Sequence, residues 1–240
     1  MRETEDRLRM EQSKIVSPKG GHFGIVYATA SNPGVGQTCL IIAHGAGGPM
    51  YSSFITYFHK GLAEKGYLTV KFNFPYMEAR RKIPDKREVL EASYRQVIEE
   101  VKASKYQPKR VFVGGKSMGG RIASQVVASG VDVEGLFFLG YPLHRPGQPE
   151  MLRDEHLYQI ERPMLFLSGT KDQFAKRELL EGVVSKLGDK AEIHWMEGGD
   201  HSFNTHQGKD ALVKTYGEAL ETLDAWLRAH SAQGSRNGSV

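Results

Sequence analysis

Cysteine is almost absent from this chain: a single thiol, Cys39, stands in 240 residues. No disulfide can close within it, so a disulfide-stapled fold is excluded. Cys39 lies in the apolar run TCLIIAH, where a thiol behaves as a small buried hydrophobe. Long hydrophobic runs are missing too, and none approaches the roughly 20 residues needed to cross a bilayer. The opening MRETEDRLRMEQSK is charged throughout and carries no apolar stretch of the kind a secretory signal needs. These absences predict a cytoplasmic protein in a reducing compartment, without membrane insertion. An excess of one charge is lacking as well. The 32 basic and 28 acidic residues leave a net charge of +4 scattered along the chain, too little to indicate a nucleic-acid partner.

What is present is ordinary for a globular protein: 40% hydrophobic and 25% charged residues, which excludes disordered and fibrous classes. The length suits one well-buried domain. Residues 1–20, ending in SPKGG, and residues 231–240, SAQGSRNGSV, read as flexible tails around a folded unit at 21–230. Inside that unit, HFGIVYATA, TCLIIAH, YLTVKFNF, RVFVGG, GLFFLGY, PMLFLSG and AEIHWM have the composition of strands. Several are apolar on both faces, as central strands covered by helices on each side must be. Between them, Tyr51, Phe54, Ile55, Phe58 and Leu62 recur at helical spacing, as do Leu90, Tyr94, Val97, Ile98 and Val101. The same holds from Leu179 to Leu187 and from Leu212 to Leu227. This alternation predicts an α/β fold: a mainly parallel sheet with helices on both faces, its ligand site on the edge where strands end.

In VFVGGKSMGGRIAS a strand-like run leads through Gly115, Lys116, Ser117, Met118 and Gly119 into a helix-like segment. This is the GxSxG pattern of a nucleophile elbow. With 27 glycines in the chain the bare pattern is only moderately specific. The strand before it and the helix after it single out Ser117 as nucleophile against a mere glycine-rich turn with a capping serine. The elbow leaves the N–H of Met118 free at a helix N-terminus, where developing negative charge is favoured. Lys116 is expected to point away from the serine, without an assigned role.

A serine hydroxyl needs a base within reach, itself oriented by a carboxylate. Beyond the elbow, SGTKDQF presents Asp172 after one strand and EGGDHSF presents His201 after the next. Among nine histidines, His144 in YPLHRP is the strongest rival to His201, but it precedes Asp172, against the order serine, acid, histidine. Asp172 competes with its own reading as a helix N-cap, and Glu197 and Asp200 are other carboxylates near His201.

HGAGG, at the end of TCLIIAH, is placed to supply a second oxyanion donor through the N–H of Ala46, with His44 fixing the loop by hydrogen bonds. Leu143, His144, Phe174 and Phe203 are candidates for the substrate wall, although core packing accounts for the apolar ones equally well. Arg80 and Arg81 open a basic run that continues through Lys82, Lys86 and Arg87. It reads as an anion site or, more commonly for such runs, a solvated charged loop. Only about twenty residues separate GLFFLGY from PMLFLSG, which leaves no room for a large cap.

HGAGG, FNFPYMEARRKIPD, GGKSMGGRIAS, FLGYPLHRPGQPE, SGTKD and GGDHSF together resemble the dienelactone hydrolase-like group of α/β-hydrolases. More narrowly, the chain is similar to the small family containing testis-expressed protein 30 and the hydrolase-like part of a chromatin acetyltransferase complex subunit. The resemblance covers most of 21–230. It implies the α/β-hydrolase fold, Ser117, Asp172 and His201 as a catalytic triad, and the loop at Ala46 as oxyanion donor. Dienelactone hydrolase carries cysteine where this chain has Ser117, a departure that bears on whether the lactone substrate carries over.

The chemistry expected is hydrolysis of a small carboxylic ester through an acyl-enzyme on Ser117, which requires neither metal nor organic cofactor. The same machinery serves a thioesterase or peptidase. A scaffold retaining the fold is the non-catalytic alternative.

Overall fold

The computed structural model describes residues 8–30 and 37–233. Eight strands form one sheet: β1 (Arg9–Val16), β2 (His22–Thr29), β3 (Thr38–Ala43), β4 (Leu68–Phe72), β5 (Arg110–Lys116), β6 (Gly135–Leu139), β7 (Met164–Gly169) and β8 (Ala191–Met196). Their order across the sheet is β1-β2-β4-β3-β5-β6-β7-β8. From β4 to β8 every pairing is parallel, whereas β1 and β4 each flank β2 antiparallel. All seven runs read as strands from composition are strands.

Strict alternation divides the apolar residues between two cores. Cys39 and Ile41 of β3, Val111 and Val113 of β5 and Leu136 and Phe138 of β6 face one layer. Leu40 and Ile42, Phe112, and Phe137 and Leu139 face the other. The first layer is closed by α3 (Arg87–Ala103), α4 (Met118–Ala128) and α5 (Arg177–Leu187), through residues such as Tyr94, Ile122 and Leu180. The second is closed by α1 (Ser53–Glu64) and α6 (Lys209–Gln233), through Phe58, Leu62, Leu223 and Leu227. A side chain that alternates on a strand thus finds an apolar partner either way, which is why these strands read as continuous hydrophobic runs. α2 (Pro75–Glu78) is a single turn after β4, set by proline at its first positions.

Within the tail expected over 1–20, residues 1–7 lie outside the described residues, and the remainder is corrected by β1. RMEQSKIV pairs over its full length with β2, yet only Ile15 of its apolar residues is buried. An edge strand held by backbone hydrogen bonds needs no hydrophobic alternation, so composition did not mark it. At the other end α6 runs to Gln233, three residues into the expected tail, and residues 234–240 lie outside the described residues.

Between β6 and β7 the chain carries only a five-residue 3-10 turn, Glu155–Gln159, and no cap. The loops that follow β3, β5, β7 and β8 therefore meet at an open sheet edge. No helix among the described residues is long and apolar enough to span a membrane.

Candidate active site

Ser117 stands between β5 and α4 with φ 50° and ψ −117°, a left-handed backbone that a non-glycine residue adopts only under strain. The turn can be tight because Gly115 and Gly119, two positions to either side, have no side chains. A Cβ on Gly115 would lie 2.2 Å from the Ala43 carbonyl oxygen, and one on Gly119 would lie 2.6 Å from the same atom. Met118 opens α4, so its N–H has no acceptor within the helix and remains available to a ligand.

His201 and Asp172 meet from neighbouring loops. The imidazole Nδ1–H donates to Asp172 Oδ2 at 2.7 Å, and the Asp172 side chain is wholly buried while that of His201 keeps 16% exposure. The second oxygen, Oδ1, accepts the Phe174 N–H at 2.8 Å, fixing the carboxylate. Asp172 does not cap α5, whose N-cap is Lys176. Asp200, the nearest rival, is engaged elsewhere: it accepts from the N–H groups of Ser202 and Asn204 and from His206 Nε2. Glu197 accepts from the Thr170 hydroxyl.

With Nδ1 committed to Asp172, Nε2 is the free position of the His201 ring, buried and without a hydrogen-bond partner in this structure. No hydrogen bond yet joins it to the Ser117 hydroxyl, but both residues line one cleft of about 380 Å³. Burial lowers the imidazole pKa below its ordinary value, the charge of Lys116 lowers it further, and Asp172 opposes both. The net lowering favours the neutral form of the His201 ring.

Ala46 is exposed on the HGAGG turn, closed by a Gly48 N–H to Gly45 carbonyl bond of 3.4 Å, with Gly47 at φ 75°. His44 clasps this turn: its Nδ1–H donates to the Gly45 carbonyl at 2.8 Å, and its Nε2 accepts the Phe74 N–H at 3.0 Å. Those two bonds fix a neutral tautomer, and burial pushes the pKa down to about 4.

The expected substrate wall divides. Phe174 stacks on His201 with centroids 4.4 Å apart and lines the clefts on both sides of Ser117. Leu143 and Phe203 are fully buried core residues and line neither cleft. His144 is also buried. It donates to the Arg145 carbonyl and accepts the Lys176 N–H, clasping the Asp172 loop. Arg80 and Arg81 are exposed and line neither cleft, and Arg81 pairs with Asp85 at 2.7 Å.

Two features escaped sequence reasoning. Lys116 does line the His201 cleft, and its ammonium reaches the His201 carbonyl while lying against the Phe54 ring. Arg121 and Arg153 line a second cleft beside Ser117. No local pattern marks either arginine, because they converge from a helix, α4, and from the loop after β6. Among the described residues no cluster of three or more His, Cys, Asp or Glu side chains is placed to hold a metal ion.

A sheet in this strand order, a strained serine at its central elbow and an uncapped edge define a hydrolase-class architecture. The chain belongs to the alpha/beta hydrolase domain family, which it matches over residues 36–227. It is similar to a serine hydrolase without a lid from Xanthomonas campestris, at 19% identity and TM-score 0.71, covering 90% of this chain and 94% of that one. It is also similar to the esterase domain of a Rhodothermus marinus protein, at 16% identity and TM-score 0.68, covering 92% and 98%. A protein assigned as a dienelactone hydrolase in Klebsiella pneumoniae matches at 17% identity and TM-score 0.69, covering 90% and 98%. At such identities the likeness is one of fold.

Proposed function

We propose that this chain is a serine hydrolase that cleaves a carboxylic ester through an acyl-enzyme on Ser117. The observation that carries the reading is the 2.7 Å bond from His201 Nδ1 to buried Asp172, which leaves an unpartnered, buried Nε2 in the cleft shared with Ser117. In this mechanism a rotation of the Ser117 side chain brings its hydroxyl to Nε2. The proton passes to His201 as Oγ attacks the ester carbonyl, and Asp172 stabilises the imidazolium that forms. The oxyanion is received by the N–H groups of Ala46 and Met118. The imidazolium then gives its proton to the departing alkoxide. A water molecule, deprotonated by the same Nε2, attacks the acyl-enzyme, and the imidazolium returns that proton to Ser117 Oγ as the acid leaves.

The test is covalent labelling by an alkyl fluorophosphonate, with hydrolysis of a 4-nitrophenyl ester as readout. Wild type is expected to label and turn over, and Ser117→Ala to do neither. Labelling that persists in Ser117→Ala, or is absent from the wild type, overturns the reading.

A further inference from the structure

Ser117, Ala46 and Phe174 line two clefts at once, so a carbonyl held at Ser117 sends its two limbs in different directions. The clefts differ in chemistry. One, of about 380 Å³, is walled by Phe54, Ile55 and the HGAGG turn, and its cation, Lys116, is already engaged by the His201 carbonyl. The other, of about 300 Å³, is walled by Leu90, Met118 and Ile122 together with Arg87, Arg121 and Arg153.

Those guanidiniums are poorly compensated. Arg87 is paired with Glu91. Among the described residues, neither Arg121 nor Arg153 has a carboxylate within salt-bridge distance, and the Arg121 Nε is buried without any hydrogen-bond partner. Arg121 sits one turn along α4 from the nucleophile, its N–H bonded to the Ser117 carbonyl at 3.1 Å. Arg153 is held opposite by its N–H to the Leu143 carbonyl at 2.8 Å and by the Tyr141 hydroxyl on its own carbonyl. The one acid on the cleft wall, Asp85, already pairs with Lys19 and Arg81. His156, behind the cleft, adds no positive charge of its own near neutrality: burial and the charges of Arg121 and Arg87 push its pKa down to about 4.

A half-buried guanidinium whose Nε is out of water without a partner, beside a second one with no carboxylate, is an unsatisfied cation pair in the free protein. A planar oxyanion satisfies it, because the guanidinium fork matches two oxygens at once and stays charged at all working pH. We infer that the substrate carries an anionic oxyacid group, carboxylate or phosphate, on the limb that enters the cleft of Arg121 and Arg153, with its uncharged limb in the cleft of Phe54 and Ile55. This rests on Ser117 being the nucleophile, and it assigns the substrate class left open by that assignment.

The experiment measures the second-order rate of Ser117 labelling by three fluorophosphonates of matched tail length: one carboxylate-ended, one phosphate-ended and, as the neutral isostere, the methyl ester of the carboxylate-ended probe. No turnover is required. An anionic tail is expected to label at least about 10-fold faster than the neutral one, the size of one charge-assisted hydrogen-bonded contact. The advantage should shrink as salt is raised. Whichever anionic tail is faster identifies the oxyacid. Arg121→Gln and Arg153→Gln are expected each to reduce the ratio of anionic to neutral rates about 10-fold, and a ratio is insensitive to partial loss of folded protein. Equal or slower labelling by both anionic tails overturns the inference while leaving the nucleophile intact. So does a ratio unchanged in both arginine variants. If no probe labels the wild type, the assignment of Ser117 fails, and this inference with it.

Discussion

The ammonium of Lys116 donates to the backbone carbonyl of His201, joining the residue before the candidate nucleophile to the residue that would be its base. The side chain also lies against Phe54 and Phe203, with Nζ 5.2 Å and 6.0 Å from their ring centroids. Burial in this place pushes its pKa down to about 8, so it is still mostly charged at neutrality. A cation here holds the His201 loop and disfavours a second positive charge on the ring.

The wild-type acid limb of kcat/KM for a neutral ester should therefore lie below pH 6.5, since the base form is the neutral ring and its pKa is lowered. In Lys116→Met the repulsion is removed, the ring binds its proton more readily, and the limb should move to higher pH. A merely structural loss would lower the rate without moving the limb. The pH profiles of the two proteins decide between these outcomes.

Asp172→Asn keeps the size of the side chain but replaces the acceptor of the Nδ1–H bond with a neutral amide. That removes the stabilisation of the imidazolium and frees the ring to take the other tautomer. The kcat for ester hydrolysis should fall by about 10⁴-fold, the scale known for the aspartate of serine protease triads. Asp200→Asn should change it far less, because the Asp200 carboxylate serves its own loop rather than the ring. Steady-state kinetics of the two variants provide the comparison.

Glycine substitutions should separate by contact. The Gly115→Ala methyl would meet the Ala43 carbonyl oxygen at 2.2 Å, where both partners are backbone of paired strands and neither can yield. We expect a loss of about 3 kcal/mol or more, or failure to fold. Gly182 lies in α5 with open space around its Cβ position. Gly182→Ala should stabilise by about 0.5–1 kcal/mol. Denaturant midpoints measure both.

Three histidines make the fold sensitive to mild acid. Burial pushes the pKa of His44 down to about 4, that of His59 to about 3 and that of His156 to about 4, all from an ordinary value of 6.5. Between pH 6.5 and 4 the unfolded chain binds protons that the native chain refuses, so stability falls as pH falls. Each such histidine contributes a slope of up to about 1.4 kcal/mol per pH unit. The window is distinct from that of Asp85, Asp200 and Asp224, whose lowered values act below pH 3.8. Thermal denaturation across pH 4 to 7 should show the slope, and His156→Gln should make it shallower.

How much was legible in advance depends on how local the physics is. β3, β5, β6 and β7 announced themselves as apolar runs, because each alternate residue had a hydrophobic layer to enter. β1 did not, since its pairing with β2 is carried by backbone groups common to every sequence. Ser117 could be named because the elbow makes demands on consecutive residues: glycine at 115 and 119 where the Ala43 carbonyl approaches. His44 as the clasp of its own loop follows from the same short range. Chain order pointed to Asp172 and His201. That Asp172, and neither Asp200 nor Glu197, bonds to the His201 ring was decided by where each carboxylate's lone pairs go, which is a matter of neighbouring loops. The basic cluster shows the limit most clearly. Arg80 and Arg81 stood out as a run of charge yet are exposed, because consecutive charges on a loop stay in water. Arg121 and Arg153, 32 positions apart, carry no signal in the chain and share a cleft only because β5, α4 and the loop after β6 bring them there. Turn chemistry and hydrophobic patterning, being local, were determined by the sequence alone. The pairing of distant charges, which depends on every crossover between them, was decided by the tertiary structure.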